Sequence, residues 1–134
     1  MSVERVTYLD SSAIVKLVVA EAESASLLRY LQQRRTLLSS ALARTEVMRA
    51  CLSLGASAQQ RVDSVLGRID LVRVSDRVLT LAGELHPPTM RSLDAIHLAT
   101  ASLLGKESVA RLVTYDTRMA AAARALGFSP VAPA

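Results

Sequence analysis

The chain has no tryptophan, a single phenylalanine and three tyrosines. That argues against recognition of nucleobases by stacking on a sheet of aromatic side chains. Cysteine occurs once, as Cys51. A lone thiol excludes an internal disulfide and any multi-cysteine zinc site, and it suits a reducing cytoplasm. Histidine occurs only as His86 and His97, so acid–base catalysis by two imidazoles would need both to converge. No apolar run approaches the roughly 20 residues a membrane span requires, since the longest candidate, residues 13–22, is broken by Lys16 and Glu21. The N-terminus carries Glu4 and Asp10. It lacks a basic region followed by an apolar one and does not read as a signal peptide.

What is present is a chain of 134 residues, 51% of them hydrophobic. That is the size of one ordinary domain with a sizeable core, spanning residues 1–134. Formal net charge is +4. Lys and Arg total 16, and only Lys16 and Lys106 are lysines, which leaves fourteen arginines. Arginine favours bidentate contact with phosphate or carboxylate. A basic balance of this kind permits a nucleic-acid partner and is equally met by solvated helix faces.

Hydrophobic periodicity predicts strands separated by helices. Strands are expected at residues 3–9, 36–39, 71–74 and 112–115, with a short one at the C-terminal tail. Helices are expected at residues 12–20, from Ser24 with Leu27, Leu28 and Leu31 on one face, and at 41–54 up to Gly55. Four more are expected at 58–67, from a Ser75 cap to Leu85, from a Ser92 cap to Gly105, and at 117–126 up to Gly127. This alternation implies an α/β fold with a parallel sheet covered on both faces. Ligands of such folds sit beyond the carboxyl ends of the strands.

Two acids fall at that edge. Asp10 ends the first strand in "YLDSSAIVKL", and Asp116 follows the late strand in "VTYDTRMAAAA". Two more are Glu46 in "RTEVMRACL" and Asp94 in "SLDAIHLATA". Each has a structural role available to it. Asp10 suits an Asx turn, Asp116 a helix N-cap, Asp94 a helix first turn, and Glu46 a surface pair with Arg44 or Arg49. Taken together, four carboxylates in one pocket would repel, and a divalent cation would offset that. Mg²⁺ and Mn²⁺ prefer such oxygen ligands.

The ordered set "YLDSSAIVKL", "RTEVMRA", "LDAIHLATA" and "VTYDTRMAAAA" closely resembles the PIN-domain ribonucleases, and in particular the VapC toxins of bacterial toxin–antitoxin pairs. The resemblance covers essentially the whole chain. It implies a PIN-like three-layer sandwich with a central, mostly parallel sheet flanked by helices. It implies that Asp10, Glu46, Asp94 and Asp116 are catalytic, metal-binding acids, with Ser11 and Thr114 as supporting hydroxyls. It further implies Mg²⁺ or Mn²⁺, an RNA substrate, inhibition of translation, a homodimer, and a VapB-type antitoxin whose tail enters the site.

The remaining groups leave alternatives open. His97 lies three residues after Asp94 and shares its side of a helix; it either orients Asp94, touches phosphate, or is a partly buried histidine bonded to a neighbour. Lys16 and Arg91 are candidates for RNA phosphates or for solvated surface, and Arg118 is open to either role. Asp63 and Asp76 fit helix-surface or cap roles. A non-catalytic module of the same fold, binding RNA or protein, is the alternative to an enzyme, and clustered acids argue against it. A phosphotransfer receiver would want a paired acid near Asp10 and a late lysine, where this chain has serines and Thr114-Tyr115-Asp116.

Overall fold

The structure, a computed structural model, describes residues 5–134. Five strands form one sheet: β1 (Val6–Leu9), β2 (Leu37–Ser40), β3 (Asp70–Val72), β4 (Val109–Val113) and β5 (Pro130–Val131). Their order is β3-β2-β1-β4-β5, and every pairing is parallel. Seven α-helices connect them: α1 (Ser11–Val18), α2 (Ser24–Gln32), α3 (Ala43–Cys51), α4 (Ala56–Leu66), α5 (Asp76–Glu84), α6 (Ser92–Leu104) and α7 (Thr117–Ala125). The predicted first strand begins at residue 3, and residues 3 and 4 lie outside the described residues.

The two faces of the sheet follow from the alternation of side chains along each strand. Leu9 and Val113 point to one face, where they pack with Ile14, Leu27, Val47 and Val62 from α1–α4. Tyr8 and Leu112 point to the other, against Leu98 of α6 and Met119 and Ala123 of α7. The result is a three-layer sandwich, as expected. Pro130 is tolerated because β5 is an edge strand.

Several boundaries differ from expectation. The helix expected over 41–54 is α3 followed by a 3-10 turn, Leu52–Leu54, before Gly55 at φ 91°. Ser92 is the first residue of α6 and not its cap; that position is Arg91, with no side-chain cap bond. The fourth strand starts earlier, at Val109, and ends before Thr114. Leu28 and Leu93 are exposed, because the buried stripe of α2 runs through Leu27 and Leu31 and that of α6 through Ala95, Leu98 and Ala99.

Candidate active site at the carboxyl edge of the sheet

All five strands are parallel, so their carboxyl ends share one edge. Asp10 directly follows β1 and is the N-cap of α1, accepting from the Ala13 N–H at 3.1 Å. Asp116 follows the adjacent β4 and caps α7, accepting from the N–H groups of Arg118 and Met119 at 2.9 and 3.2 Å. Glu46 is in the first turn of α3, which leaves the end of β2. Helix α6 runs into β4, so its first turn, with Asp94, lies at the same edge.

Asp10 is the most constrained of the four, with 4% of its surface exposed. Thr114 Oγ1 donates to its Oδ2 at 2.5 Å, and Ser12 Oγ donates to its Oδ1 at 2.7 Å. The Thr114 bond ties β1 to β4 just past their ends. Ser12 also accepts the Tyr115 N–H at 3.0 Å, a second tie between the same segments. Burial pushes the Asp10 carboxyl above its usual range, and the three bonds from Thr114, Ser12 and Ala13 pull against it. Asp94 is also raised, first by burial and then by the charge of Asp116, with Asp10 adding and His97 and Arg91 opposing. Asp10, Asp94 and Asp116 thus share one electrostatic environment.

Glu46 belongs to a different arrangement. Its Oε1 takes His97 Nε2 at 2.7 Å and the Ser11 hydroxyl. On the other side of the ring, Tyr8 Oη lies 2.7 Å from His97 Nδ1. Tyr8 and His97 are 0% and 2% exposed. Burial holds the Tyr8 phenol far above its ordinary range, so it keeps its proton. A Tyr8 hydroxyl donating to Nδ1 leaves the Nε2–H to donate to Glu46, and the buried chain Tyr8–His97–Glu46–Ser11 is then satisfied throughout. Burial raises the Glu46 carboxyl, but the bonds from His97 and Ser11 outweigh it and hold Glu46 below its usual range.

His97 therefore neither bonds Asp94 nor faces solvent; it is a buried histidine whose partners are Glu46 and Tyr8. Glu46 is paired with His97 and not with Arg44 or Arg49. Ser11 supports Glu46, while the hydroxyls on Asp10 are Thr114 and Ser12. Tyr8 and Ser12 were missed in the sequence. Tyr8 read only as a strand former, and Ser12 as the start of a helix; its place two residues into a helix capped by Asp10 was the available signal. Lys16 is engaged by Glu23 at 2.6 Å and Glu21 at 3.6 Å and lies over the Tyr115 ring, which removes it from the phosphate-binding candidates. His86 is exposed on the loop before α6, apart from the buried His97, so no histidine pair forms. Asp63 and Asp76 are exposed on α4 and α5.

Among the described residues, no group of three or more His, Cys, Asp or Glu side chains is gathered closely enough to hold a metal ion unaided. The donors at the edge are nevertheless of the right kind for a hard divalent cation. They are carboxylate and hydroxyl oxygens, and the one thiol, Cys51, is buried in the core. Mg²⁺ asks for only one or two carboxylates, with waters and substrate phosphate completing its shell.

The PIN domain family profile matches residues 7–125. Ribonuclease VapC46 of Mycobacterium tuberculosis is 57% identical over 126 residues, which span 94% of this chain and 96% of that protein. Two solved structures share the fold. That of M. tuberculosis VapC20, a sarcin-ricin loop cleaving toxin, has a TM-score of 0.73 at 17% identity and covers 95% of this chain and 99% of its own. That of VapBC2 from Rickettsia felis, bound to a DNA fragment from their promoter, has a TM-score of 0.66 at 15% identity and covers 96% and 99%. Profile, sequence and fold agree over nearly the whole length, and this chain belongs to the PIN-domain family, among the VapC ribonucleases.

Proposed function

We propose that the chain is a Mg²⁺- or Mn²⁺-dependent endoribonuclease, the toxin of a toxin–antitoxin pair, which cuts RNA by hydrolysis and so inhibits translation. What supports this reading is that Asp10, Asp94 and Asp116 all stand at the carboxyl edge of the sheet, the charges of the other two adding to burial in raising Asp94. A purely structural role does not need three acids at one edge, one of them raised by the charge of the other two. The 57% identity to a ribonuclease supports the same reading.

In this mechanism Asp10, Glu46, Asp94 and Asp116 would hold the cation. When bound, the ion lowers the pKa of a water and neutralises charge on the phosphate. Thr114 and Ser12 fix the orientation of Asp10, and the α7 amides fix that of Asp116. Both Glu46 contacts fall on Oε1, which leaves Oε2 available to the cation or to a water. His97, Tyr8 and Ser11 position that carboxylate. The partner is a VapB-type antitoxin, a reading supported by the fold shared with VapBC2, and the chain is expected to act as a homodimer.

The test is incubation of the purified protein with structured RNAs in Mg²⁺, Mn²⁺ or EDTA. Cutting that needs the metal, leaves no cyclic phosphate and stops when the neighbouring small gene product is added is expected. Undiminished cutting in EDTA with cyclic phosphate ends overturns the proposal.

A further inference from the structure

A hydrolase for a polyanion faces a conflict at this edge, because its own carboxylates repel the substrate until a cation is bound. Something cationic beside the acids has to bring the strand in. Lys16 is held by Glu23 and Glu21. Arg44 and Arg49 line a separate hollow between α3 and α4. Two hollows reach the acids: one, lined by Asp116, holds a single arginine, Arg124, and the other, lined by Asp94, holds two. The second is a cleft with a volume of about 360 Å³ and lies between the loop leading into α6 and the exposed side of α7. Asp94 lines it, with Arg91 and Arg118 from the two different segments. Both arginines are exposed. Among the described residues, neither has a carboxylate within ion-pair distance. The rest of the lining includes Met90, Ala121 and Ala122, a smooth apolar surface.

We infer that this cleft binds the phosphodiester backbone of the RNA strand next to the scissile bond, with Arg91 and Arg118 each taking one phosphate. The inference rests on the ribonuclease reading and adds where the strand lies. Two guanidinium groups that line one cleft can each contact a phosphate with paired N–H donors. The apolar wall accommodates a ribose or base face without an aromatic platform. Guanidinium planes also stack on bases, which suits a chain so poor in aromatics.

The experiment measures binding of a short single-stranded RNA to the whole protein in EDTA, where the metal-dependent cut is silent, across a range of salt. The proteins are the parent, the double variant Arg91→Ala/Arg118→Ala, the double lysine variant and a control, Arg29→Ala, on the opposite layer. Loss of each arginine contact is expected to weaken binding about tenfold. The slope of log affinity against log salt should become shallower by about 1.4 for the two phosphates lost. The lysine variant should recover part of both, and the control neither. With Mg²⁺ present, the double variant should show a raised KM and a smaller change in kcat. A parent that binds RNA but never cuts it overturns the nuclease reading and leaves the cleft standing. A parent that cuts, beside a double variant with unchanged affinity and slope, overturns the cleft alone. A double variant that keeps RNA but releases its antitoxin also overturns it, since the cleft would then belong to a protein partner.

Discussion

At the scale of single residues, the site separates carboxylates that repel from one that is neutralised. Asp94 is crowded by Asp116 and Asp10, whereas Glu46 is held by His97 and Ser11. Removing charge should therefore act differently on each. Asp94→Asn keeps shape, loses a favourable contact with the α6 dipole of roughly 0.3–1 kcal/mol and relieves repulsion. The metal-free melting temperature is expected to stay level or rise, while RNA cutting falls by at least about a hundredfold. A variant that melts lower and cuts at the parent rate would reduce Asp94 to a helix-end stabiliser. Tyr8→Phe probes the other arrangement. It fills the same space but leaves His97 Nδ1 buried without a donor, at a cost of about 1–3 kcal/mol. Denaturant unfolding measures that loss. If Tyr8 positions Glu46 through His97, cutting falls about 10–100-fold as well, and kcat carries more of the loss than KM.

At the scale of elements, a helix start holds the fold and, in the proposed function, serves the chemistry as well. Asp116 caps α7 through Oδ1, so Asp116→Ala should cost about 0.5–2 kcal/mol, whereas Asp116→Asn keeps a good cap. Both are expected to lose RNA cutting. An alanine variant that unfolds more easily, beside an asparagine variant that is stable but inactive, separates the cap from the chemistry in two thermal melts and one assay. The elements were largely legible in the sequence because their signals are local. Ser75 caps α5 as read, and the strand–helix alternation is that of the fold. Ends were less legible where the decisive bond is distant. Nothing near Thr114, just past the end of β4, says that its hydroxyl reaches Asp10, 104 residues away in sequence. Likewise Glu46 and His97 are 51 residues apart, and a helical wheel pairs Glu46 with its local arginines instead. His97 was drawn to Asp94 for the same reason. The four acids stand out in the chain because each lies at a strand end or helix start, the edge where a parallel sheet takes its ligands.

At the scale of the whole molecule, the acid edge sets how stability depends on pH, and metal should invert part of that dependence. In the metal-free protein, Asp10 and Asp94 have carboxyls raised above the unfolded value of 3.8. The folded state binds protons more readily there than the unfolded chain. Their contribution is greatest below 3.8 and is lost as pH rises through the raised folded values. Glu46, lowered from 4.5, works the other way. Its contribution is present above 4.5 and is lost as pH falls through its lowered value. Above 4.5 the Glu46 contribution is constant, so the metal-free melting temperature is expected to fall as pH rises through the raised values of Asp10 and Asp94 and to level off once both are ionised. Binding of Mg²⁺ requires the carboxylates deprotonated and stabilises by mass action, about 2.7 kcal/mol at a hundred times its dissociation constant. The rise in melting temperature on adding Mg²⁺ should accordingly be small near pH 4 and grow towards pH 7. Asp94→Asn should flatten that growth, because it removes both a ligand and one of the protons that must leave. Melts in EDTA and in Mg²⁺, at several pH values for parent and variant, measure this directly. A Mg²⁺ effect that is the same at pH 4 and pH 7, and equal in Asp94→Asn, would place the ion on the outer surface and detach the carboxylates at the sheet edge from metal chemistry.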